Sequence, residues 1–206
     1  MSRPAASPGT KQPGQMGAWA PYYDLVMKVL TLGRERRLRQ LEVDLSSARA
    51  GDKVLEVGCG TGTLTLAVAK RVGADGMVHG VDIAPEMVQV ASRKNVRAGS
   101  PATFQVGRID RLPFPDAMFD VVICSFMIFH MPDEVRRRGL REIFRVLRAD
   151  GTFLVADMAQ ADLGALGRSM AEVGFVATDC GIRKVARLAP SVRFLRATAR
   201  KDQATS

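Results

Sequence analysis

The stretch Val54-Leu55-Glu56-Val57-Gly58-Cys59-Gly60-Thr61-Gly62-Thr63-Leu64 joins a short apolar run to a segment with helical spacing. Its glycines occupy every second position, and glycine lets a backbone turn sharply and approach a ligand closely because it has no Cβ. In a parallel sheet flanked by helices, the ligand crevice forms at the carboxyl ends of the strands. The sequence therefore predicts a ligand-binding turn between a buried strand and a helix.

The spacing of the glycines distinguishes this turn from two common phosphate-binding motifs. The dinucleotide-binding pattern G-x-G-x-x-G would place its third glycine at position 63, where this chain has Thr63. The P-loop ends in Gly-Lys-Ser/Thr, and that tripeptide does not follow here. With the carboxylate of Glu56 just ahead of it, the turn favours a positively charged nucleoside ligand over a pyrophosphate.

Around this turn the chain alternates between short β-branched runs and helical patterns. Strands are predicted at 53–57, 77–82, 102–106, 119–125, 152–157, 176–188 and 192–199, and helices at 62–72, 85–97, 134–148 and 162–173. Such alternation is typical of βαβ units, and the last two strands follow each other without a helix. We therefore predict an α/β fold with a single Rossmann-like, doubly wound, mostly parallel seven-stranded sheet and an antiparallel C-terminal hairpin.

An acidic residue ends the second predicted strand. It is Asp82, in the segment Gly80-Val81-Asp82-Ile83-Ala84-Pro85-Glu86-Met87. A carboxylate at this place can accept hydrogen bonds from both hydroxyls of a ribose. The alternative is an N-terminal cap for the helix at 85–97. The glycine turn and the acidic strand end together favour the ribose.

The ends of the chain frame a single domain. Residues 1–17 are rich in Pro, Gly, Ser and Gln and have few apolar anchors, so we expect a disordered arm. Residues 18–206 form the domain. Its first part, 18–46, carries apolar residues at helical spacing with a break at Gly33, so we expect a helical cover there.

The composition is that of a globular protein, with 206 residues of which 47% are hydrophobic and 25% charged. No apolar run approaches the ~20 residues of a membrane span, and the first residues lack a secretory signal, so we expect a cytoplasmic location. The three cysteines have neither metal-ligand nor disulfide spacing, so no metal site is expected. The net charge of +9 fits acidic partners, and it equally fits an arginine-rich proteome.

Several motifs resemble those of class I S-adenosylmethionine-dependent methyltransferases. They are Glu56-x-Gly58-x-Gly60-x-Gly62, the segment from Gly80 to Met87, Leu112-Pro113-Phe114-Pro115-Asp116 with Phe119-Asp120-Val121-Val122, and Arg145-Val146-Leu147-Arg148-Ala149-Asp150-Gly151. Within that class the chain is similar to the group that contains the ubiquinone/menaquinone C-methyltransferases. The resemblance covers residues 20–200. It is specific for fold and cofactor and weak for the substrate.

The resemblance implies S-adenosylmethionine as the cofactor. The glycine turn would line its methionine and ribose, Glu56 would help to hold the amino group, and Asp82 would accept from the ribose hydroxyls. Ile83 and Met87 would pack near the adenine, and Ser125 would face the methyl group. The implied cofactor set is Glu56, Gly58, Cys59, Gly60, Gly62, Asp82, Ile83, Met87, Ile109, Asp110 and Ser125.

One position departs from the family pattern. The family often has an acidic residue after the glycine that ends the third strand, where it accepts a hydrogen bond from the adenine amino group. This chain reads Gly107-Arg108-Ile109-Asp110, and an arginine side chain cannot accept. Either Asp110 substitutes by a local shift, or the backbone near Ile109 recognises the adenine.

Methyl transfer from a sulfonium is an in-line displacement that needs mainly positioning and exclusion of water. For an acceptor that loses a proton, His130 is the candidate base, because it follows the fourth strand and titrates near neutral pH. Its alternative role is to cap the loop or the next helix. Phe126 lines the acceptor pocket or packs in the core, and Tyr22 and Tyr23 belong to the cover. An aromatic, basic cover suits a lipid-like acceptor that arrives from an anionic membrane surface.

The predicted function is methyl transfer from S-adenosylmethionine to a small or lipid-like molecule. Two alternatives stay open. The charge of +9 allows RNA methylation, although no Asn/Asp-Pro-Pro-aromatic tetrad follows the fourth strand. A regulatory protein that binds the cofactor without turnover would also keep these motifs.

Overall fold

The computed structural model describes residues 20–184 and 191–201. Its helices are α1 (Ala20–Leu30), α2 (Glu35–Ser46), α3 (Thr63–Val72), α4 (Pro85–Ala98), α5 (Asp133–Val146) and α6 (Leu163–Ala171). Its strands are β1 (Lys53–Val57), β2 (Met77–Asp82), β3 (Thr103–Val106), β4 (Phe119–Ser125), β5 (Leu147–Met158), β6 (Phe175–Lys184) and β7 (Ser191–Ala199). A short 3-10 helix, Ile128–His130, precedes α5. The predicted arm at 1–17 lies outside the described residues.

The seven strands form one sheet in the order β3-β2-β1-β4-β5-β7-β6. β1 pairs in parallel with β2 and with β4, so the direction of winding reverses between β1 and β4, where a doubly wound sheet places its ligand crevice. β7 runs antiparallel to both β5 and β6. The predicted fold is confirmed. The sequence left open that β7 lies inside the sheet, with β6 at its edge.

The central strands are buried on both faces, which explains their continuous apolar sequence. Neighbouring residues of β1, such as Val54 and Leu55, are both fully buried. One core layer lies between the sheet and helices α5 and α6, and the other lies between the sheet and helices α1 to α3. The carboxyl ends of β1, β2, β4 and β5 therefore meet along one edge of a rigid sheet.

Two boundaries show how local geometry decides where elements end. Leu32 and Gly33 have consecutive φ values of 51° and 76°, which an α-helix does not tolerate, so the predicted break at Gly33 is confirmed. The helix predicted to reach residue 148 ends earlier, because Leu147 already pairs with Phe119 of β4. Regular pairing resumes at Thr152, where the strand was predicted to begin.

None of the helices in the described ranges is long and apolar enough to cross a membrane.

Candidate functional site

The glycine turn follows β1 and is tied to the end of β2. The amides of Gly58 and Cys59 both donate to the carbonyl oxygen of Val81, at 2.7 and 3.0 Å. The amide of Gly60 donates to Asp82 Oδ2 at 2.8 Å. The two features that the sequence singled out are therefore in direct contact. The Cys59 side chain is buried, and burial raises the pKa of its thiol. Cys59 therefore contributes to the turn through its backbone amide.

The three glycines of the turn have positive φ values, 75° at Gly58, 52° at Gly60 and 77° at Gly62. A Cβ on Gly58 would come within 2.6 Å of Met127 Cγ, and one on Gly62 would come within 2.8 Å of the Phe104 ring. At these two positions glycine is needed for left-handed backbone and for close side-chain packing. The sharp turn expected from the glycines is therefore present, and the close approach of a ligand stays a prediction.

Asp82 presents its carboxylate from a fixed position. Oδ2 accepts from the Gly60 amide and Oδ1 from the Ala84 amide at 2.9 Å. Each oxygen keeps a further lone pair, so the carboxylate can still accept hydroxyl groups. Burial raises its pKa, and the amide donors act in the opposite direction. The N-cap of α4 is Ala84, so Asp82 is not the cap of that helix.

Glu56 lies in a buried polar cluster beneath the turn. Its carboxylate accepts a hydrogen bond from the Thr65 hydroxyl of α3. Arg39 and Glu42 of α2 are buried too and form an ion pair at 2.9 Å. Burial raises the pKa of Glu56 to about 8, against the Thr65 hydroxyl and the Arg39 charge. Glu56 is therefore mostly protonated at neutral pH in the protein alone.

Ser125 ends β4 at the predicted position, but its hydroxyl turns toward α2. It donates to Glu42 Oε1 and accepts from Arg39 Nη1, the latter at 3.2 Å. The reason is the buried ion pair, since buried charges need hydrogen-bonding partners. The structure thus places the hydroxyl in the buried cluster rather than toward a cofactor methyl group.

Helix α1 lies against the glycine turn through a second polar cluster. Asp24 accepts hydrogen bonds from the Thr61 hydroxyl and, at 2.9 Å, from Lys94 Nζ of α4. Lys94 also donates to the Thr63 hydroxyl at 2.7 Å. Met27, on the same side of α1, is buried in the core layer that α1 shares with α2 and α3. These contacts fix one side of α1 to the rim of the sheet.

Tyr22 of α1 does not have the position that the sequence suggested. Tyr22 is largely exposed on the outer side of the helix. Helical spacing explains this, because Asp24 and Met27 are the residues that face inward. Tyr22 therefore does not line the rim of the sheet. The side chain of Tyr23 lies outside the described part of the structure.

Phe126 follows β4 in a left-handed conformation, with φ of 53°, and its amide donates to the Ala156 carbonyl oxygen at 2.9 Å. Its ring is partly buried against the core layer that includes Met27 of α1. Phe126 thus packs on the core layer between the sheet and helices α1 to α3, at the carboxyl end of β4. The next residue, Met127, packs over Gly58.

His130 and Asp157 come together beyond the ends of β4 and β5. His130 is exposed, and the N-cap of α5 is Pro132, so His130 does not cap that helix. Asp157 is only 4% exposed; its Oδ1 accepts from the Met158 amide at 2.8 Å. Its Oδ2 is buried and has no hydrogen-bond partner within residues 20–184 and 191–201. Burial raises the pKa of Asp157, and the nearby His130 opposes the rise.

A buried carboxylate oxygen without a donor is uncommon, because the desolvation of the charge is then only partly compensated. It marks a place where a ligand hydroxyl or an ordered water can donate. The sequence analysis missed Asp157, although a signal was present. An acidic residue ends the apolar run 153–156, which is the pattern that identified Asp82.

The loop after β3 pairs the two residues discussed for adenine recognition. Arg108 donates from Nε and Nη2 to the two oxygens of Asp110, each at 2.9 Å. The hydrogen bonds from Arg108 hold the pKa of Asp110 below its usual range. The Ile109 side chain is buried against Gly139 of α5, so only its backbone is available to a ligand.

Ile83 and Met87 have different surroundings. Ile83 is well exposed beside Asp82 and offers an apolar surface at the rim. Met87 is buried in a small cluster with Ala84 and Val90, so it anchors α4 instead. Of the pair, Ile83 has the surface that a purine ring would need.

The residues at this rim fit the groups of S-adenosylmethionine. The Asp82 carboxylate has lone pairs free to accept hydroxyl groups such as those of a ribose, and Ile83 has exposed apolar surface beside it. Glu56, beneath the turn, becomes an anion when a positive group approaches, because a neighbouring opposite charge lowers a carboxyl pKa. The donor set thus combines an acceptor for hydroxyls with a counter-charge for an ammonium.

Comparison with known proteins identifies the family. A family model described as a methyltransferase domain matches residues 54–151. The ubiquinone/menaquinone biosynthesis C-methyltransferase UbiE of Vibrio campbellii is 34% identical over 191 residues, which cover 90% of this chain and 73% of that protein. The chain belongs to the UbiE-related S-adenosylmethionine-dependent methyltransferases. The predicted family is therefore confirmed.

Two further matches agree with this family. The UbiE of Citrifermentans bemidjiense is 32% identical over 157 residues, which cover 75% of this chain. The chain spans 66% of the length of that relative. The crystal structure of an S-adenosylmethionine-dependent methyltransferase from Aquifex aeolicus has a TM-score of 0.72 at 19% identity and covers 89% of this chain and 98% of its own, which shows the same fold.

Proposed function

We propose that this methyltransferase transfers a methyl group from S-adenosylmethionine to a ring carbon of a quinol with a lipid-like tail. The observation that carries the proposal is the similarity to UbiE proteins, which are named as ubiquinone/menaquinone biosynthesis C-methyltransferases. These relatives do not favour RNA methylation or a regulatory role without turnover. The predicted cytoplasmic location and contact with an anionic membrane belong to the same proposal, since such an acceptor is reached from a membrane surface.

The cofactor supplies an electrophilic methyl group on a sulfonium. Asp82 would accept the ribose hydroxyls with the lone pairs that its amide partners leave free. Glu56 would lose its proton and face the ammonium, while Ile83 would cover one side of the adenine. These three side chains would hold the nucleoside at the carboxyl edge of the sheet, the edge at which β4 and β5 also end.

The acceptor requires a base, because methylation of a ring carbon releases one proton. Removing the proton of a quinol hydroxyl raises the electron density on the neighbouring ring carbons. Asp157 Oδ2 is a buried acceptor at this rim, and its raised pKa suits a group that takes up a proton. The exposed His130 would pass that proton to water. As the carbon–carbon bond forms, the sulfur–carbon bond breaks. The ring proton then leaves by the same route and the quinol oxygen takes a proton back, so that one proton is released in all.

The experiment uses the purified full chain, isotopically labelled S-adenosylmethionine and a water-soluble, short-tailed quinol that lacks the ring methyl group. We expect the quinol to gain one labelled methyl group, measured by mass spectrometry. The oxidised quinone should not react, because it has no hydroxyl proton to lose. Structured RNA is offered in parallel.

Asp133→Asn is the control for Asp82→Asn in this assay, because Asp133 is an exposed carboxylate on α5 that pairs with Arg136 of its own helix. Methylation should be lost in the Asp82 variant at limiting cofactor and kept in the control. Label on the RNA with none on the quinol would overturn the proposal, and so would cofactor binding without any transfer.

A further inference from the structure

Helix α1 has a second apolar face, which turns away from the protein. Tyr22, Leu25, Val29 and Leu32 are 59%, 60%, 65% and 52% exposed. They are spaced by three, four and three residues, which places them along one side of the helix and at its end. Exposed apolar residues are common singly, but three large ones on one helical face, continued by Leu32 just past its end, form an interaction surface.

The opposite side of the same helix is already occupied. Asp24 binds Thr61 and Lys94, and Met27 and Thr31 are buried. The outward row is therefore not a core-facing side of α1 that has turned to the surface. The contacts of Asp24 with Thr61 and Lys94 fix α1 to the glycine turn and keep the row on the outside.

The corner between α1 and α2 adds positive charge to this surface. Lys28, Arg34, Arg36 and Arg37 are exposed around the row, and none of them has a carboxylate within salt-bridge distance in the described ranges. The one acid of this corner, Glu35, is bound to the buried Arg39.

The arginines of α5 are different. Arg136 pairs with Asp133 and Arg138 with Glu134, so part of that charge is neutralised on the same helix. The α1–α2 corner thus combines apolar surface with uncompensated positive charge, the combination that binds an anionic lipid surface.

We propose that the outer face of α1 and the basic corner that follows it dock this protein on anionic membranes. The apolar row enters the boundary between headgroups and acyl chains, and the four basic side chains contact lipid phosphates. The inference rests on the proposed function in one respect, since it brings the protein to the bilayer that would hold a lipid-like quinol.

Sedimentation with vesicles tests the proposal on the full chain. Vesicles of phosphatidylcholine alone are compared with vesicles that also contain phosphatidylglycerol, at low and at high salt. We expect binding to the anionic vesicles that weakens with salt. The single tryptophan of the chain, Trp19, directly precedes α1, so its fluorescence reports binding independently.

Matched variants separate this surface from the general charge of the protein. Leu25→Ser with Val29→Ser, and separately Arg36→Glu with Arg37→Glu, should each weaken vesicle binding at least about tenfold. The controls are Val96→Ser with Val176→Ser, two exposed valines on other elements, and Arg137→Glu with Arg141→Glu on α5. The controls should bind like the wild type, and circular dichroism should show all variants folded.

The outcomes are distinct from those for the proposed function. Methylation of the short-tailed quinol in solution should be unchanged in the α1 variants, so loss of vesicle binding with normal turnover supports the docking surface. Equal weakening in the α5 control would mean that total charge alone drives binding and would overturn the inference. A different outcome is that the wild type binds no vesicles and forms a dimer, and that Leu25→Ser with Val29→Ser makes it monomeric. The row would then be an interface with a second copy of this chain, and the inference would be wrong. A monomer that binds no vesicles would mean that other residues of the chain cover the row.

Discussion

β2 ends in an aspartate and β5 has one just before its last residue, both at the carboxyl edge of the sheet, but the backbone holds the two carboxylates differently. Asp82 has each oxygen bonded to an amide, one from the glycine turn and one from the start of α4. Asp157 has one oxygen bonded to the next amide and the other buried without a donor in the described part of the chain. Burial raises the pKa of both.

The difference follows from what surrounds each strand end. The glycine turn after β1 folds back toward β2 and brings the Gly60 amide to Asp82, and the start of α4 adds the Ala84 amide. Asp157 accepts from the amide of Met158, the last residue of β5, and no second amide of the described residues reaches it. A carboxylate with both oxygens held is suited to orient a ligand, whereas one with a free buried oxygen is suited to take up a proton. Substitution of Asp82 should therefore weaken cofactor binding, whereas substitution of Asp157 should lower the rate of methyl transfer.

The largest effect is expected for Asp157→Asn. An asparagine keeps the shape but cannot accept the acceptor's proton, so the rate of methyl transfer at saturating substrates should fall by roughly 10²- to 10⁴-fold. The dissociation constant of the cofactor should not change, because Asp157 lies at the acceptor side. Single-turnover rates and calorimetric titration measure the two quantities separately.

Stability serves as the control for this variant. Burial raises the folded-state pKa of Asp157 above its unfolded value of about 3.9, so the residue contributes stability at low pH that is lost as pH rises through the folded pKa. The asparagine of the variant does not ionise, so the melting temperature at neutral pH should be equal or higher. Normal turnover in a normally folded variant would remove Asp157 from the mechanism.

The second effect is expected for Asp82→Asn. The variant loses the charge and turns an amide group toward one of the backbone donors, so cofactor binding should weaken by about 2–4 kcal/mol, or roughly 30- to 1000-fold. The rate at saturating cofactor should change far less. Calorimetric titration beside Asp133→Asn measures this. An unchanged affinity in a less stable protein would mean that Asp82 only organises the turn.

The strands, the glycine turn and the position of Asp82 could be predicted from the sequence. Buried strands carry continuous apolar runs, glycines mark the turn, and Asp82 ends a run, so each feature is visible locally. The side-chain directions were not visible. Ser125 was placed correctly on β4, but the hydroxyl direction depends on a buried ion pair that α2 brings from far away in the sequence.

The packing of the N-terminal helices α1 and α2 was also hard to predict, because it too depends on contacts between elements distant in the sequence. The segment 18–46 has apolar residues on two sides of α1, and spacing alone does not tell which side packs on the sheet. The burial of Arg39 and Glu42 was also missed, although oppositely charged residues three apart, next to Leu38, were a usable signal. Both misses come from contacts that cross between elements rather than from local propensity.

The end of β1 adds a third carboxylate, and a smaller, pH-dependent effect. Glu56 has a folded-state pKa of about 8 because burial removes its carboxylate from water, and the neighbouring Glu42 charge adds to the rise. Its unfolded value is about 4.3, so between these values the folded chain holds a proton that the unfolded chain releases. The free energy of unfolding therefore falls as pH rises through this window.

Glu56→Gln should remove that slope. Relative to the wild type, the variant should gain stability progressively as pH rises toward about 8, as measured by urea unfolding at a series of pH values. Glu134→Gln, an exposed carboxylate on α5, is the control and should follow the wild type. Parallel curves for Glu56→Gln and the wild type would mean that Glu56 is ionised throughout and paired with Arg39.

The smallest effect concerns Arg108 and Asp110, in the loop after β3. Substitutions there test whether this loop takes part in cofactor binding. Asp110→Ala should weaken cofactor binding about tenfold, or ~1.4 kcal/mol, if its carboxylate accepts from the adenine amino group. Arg108→Ala should weaken it less than about threefold, because an exposed ion pair contributes little. A cofactor analogue that lacks the adenine amino group decides the cause: with it, Asp110→Ala and the wild type should bind equally. If Arg108→Ala costs as much as Asp110→Ala with the natural cofactor, the paired geometry rather than the carboxylate alone recognises the base, and the assignment of Asp110 as the direct acceptor is wrong.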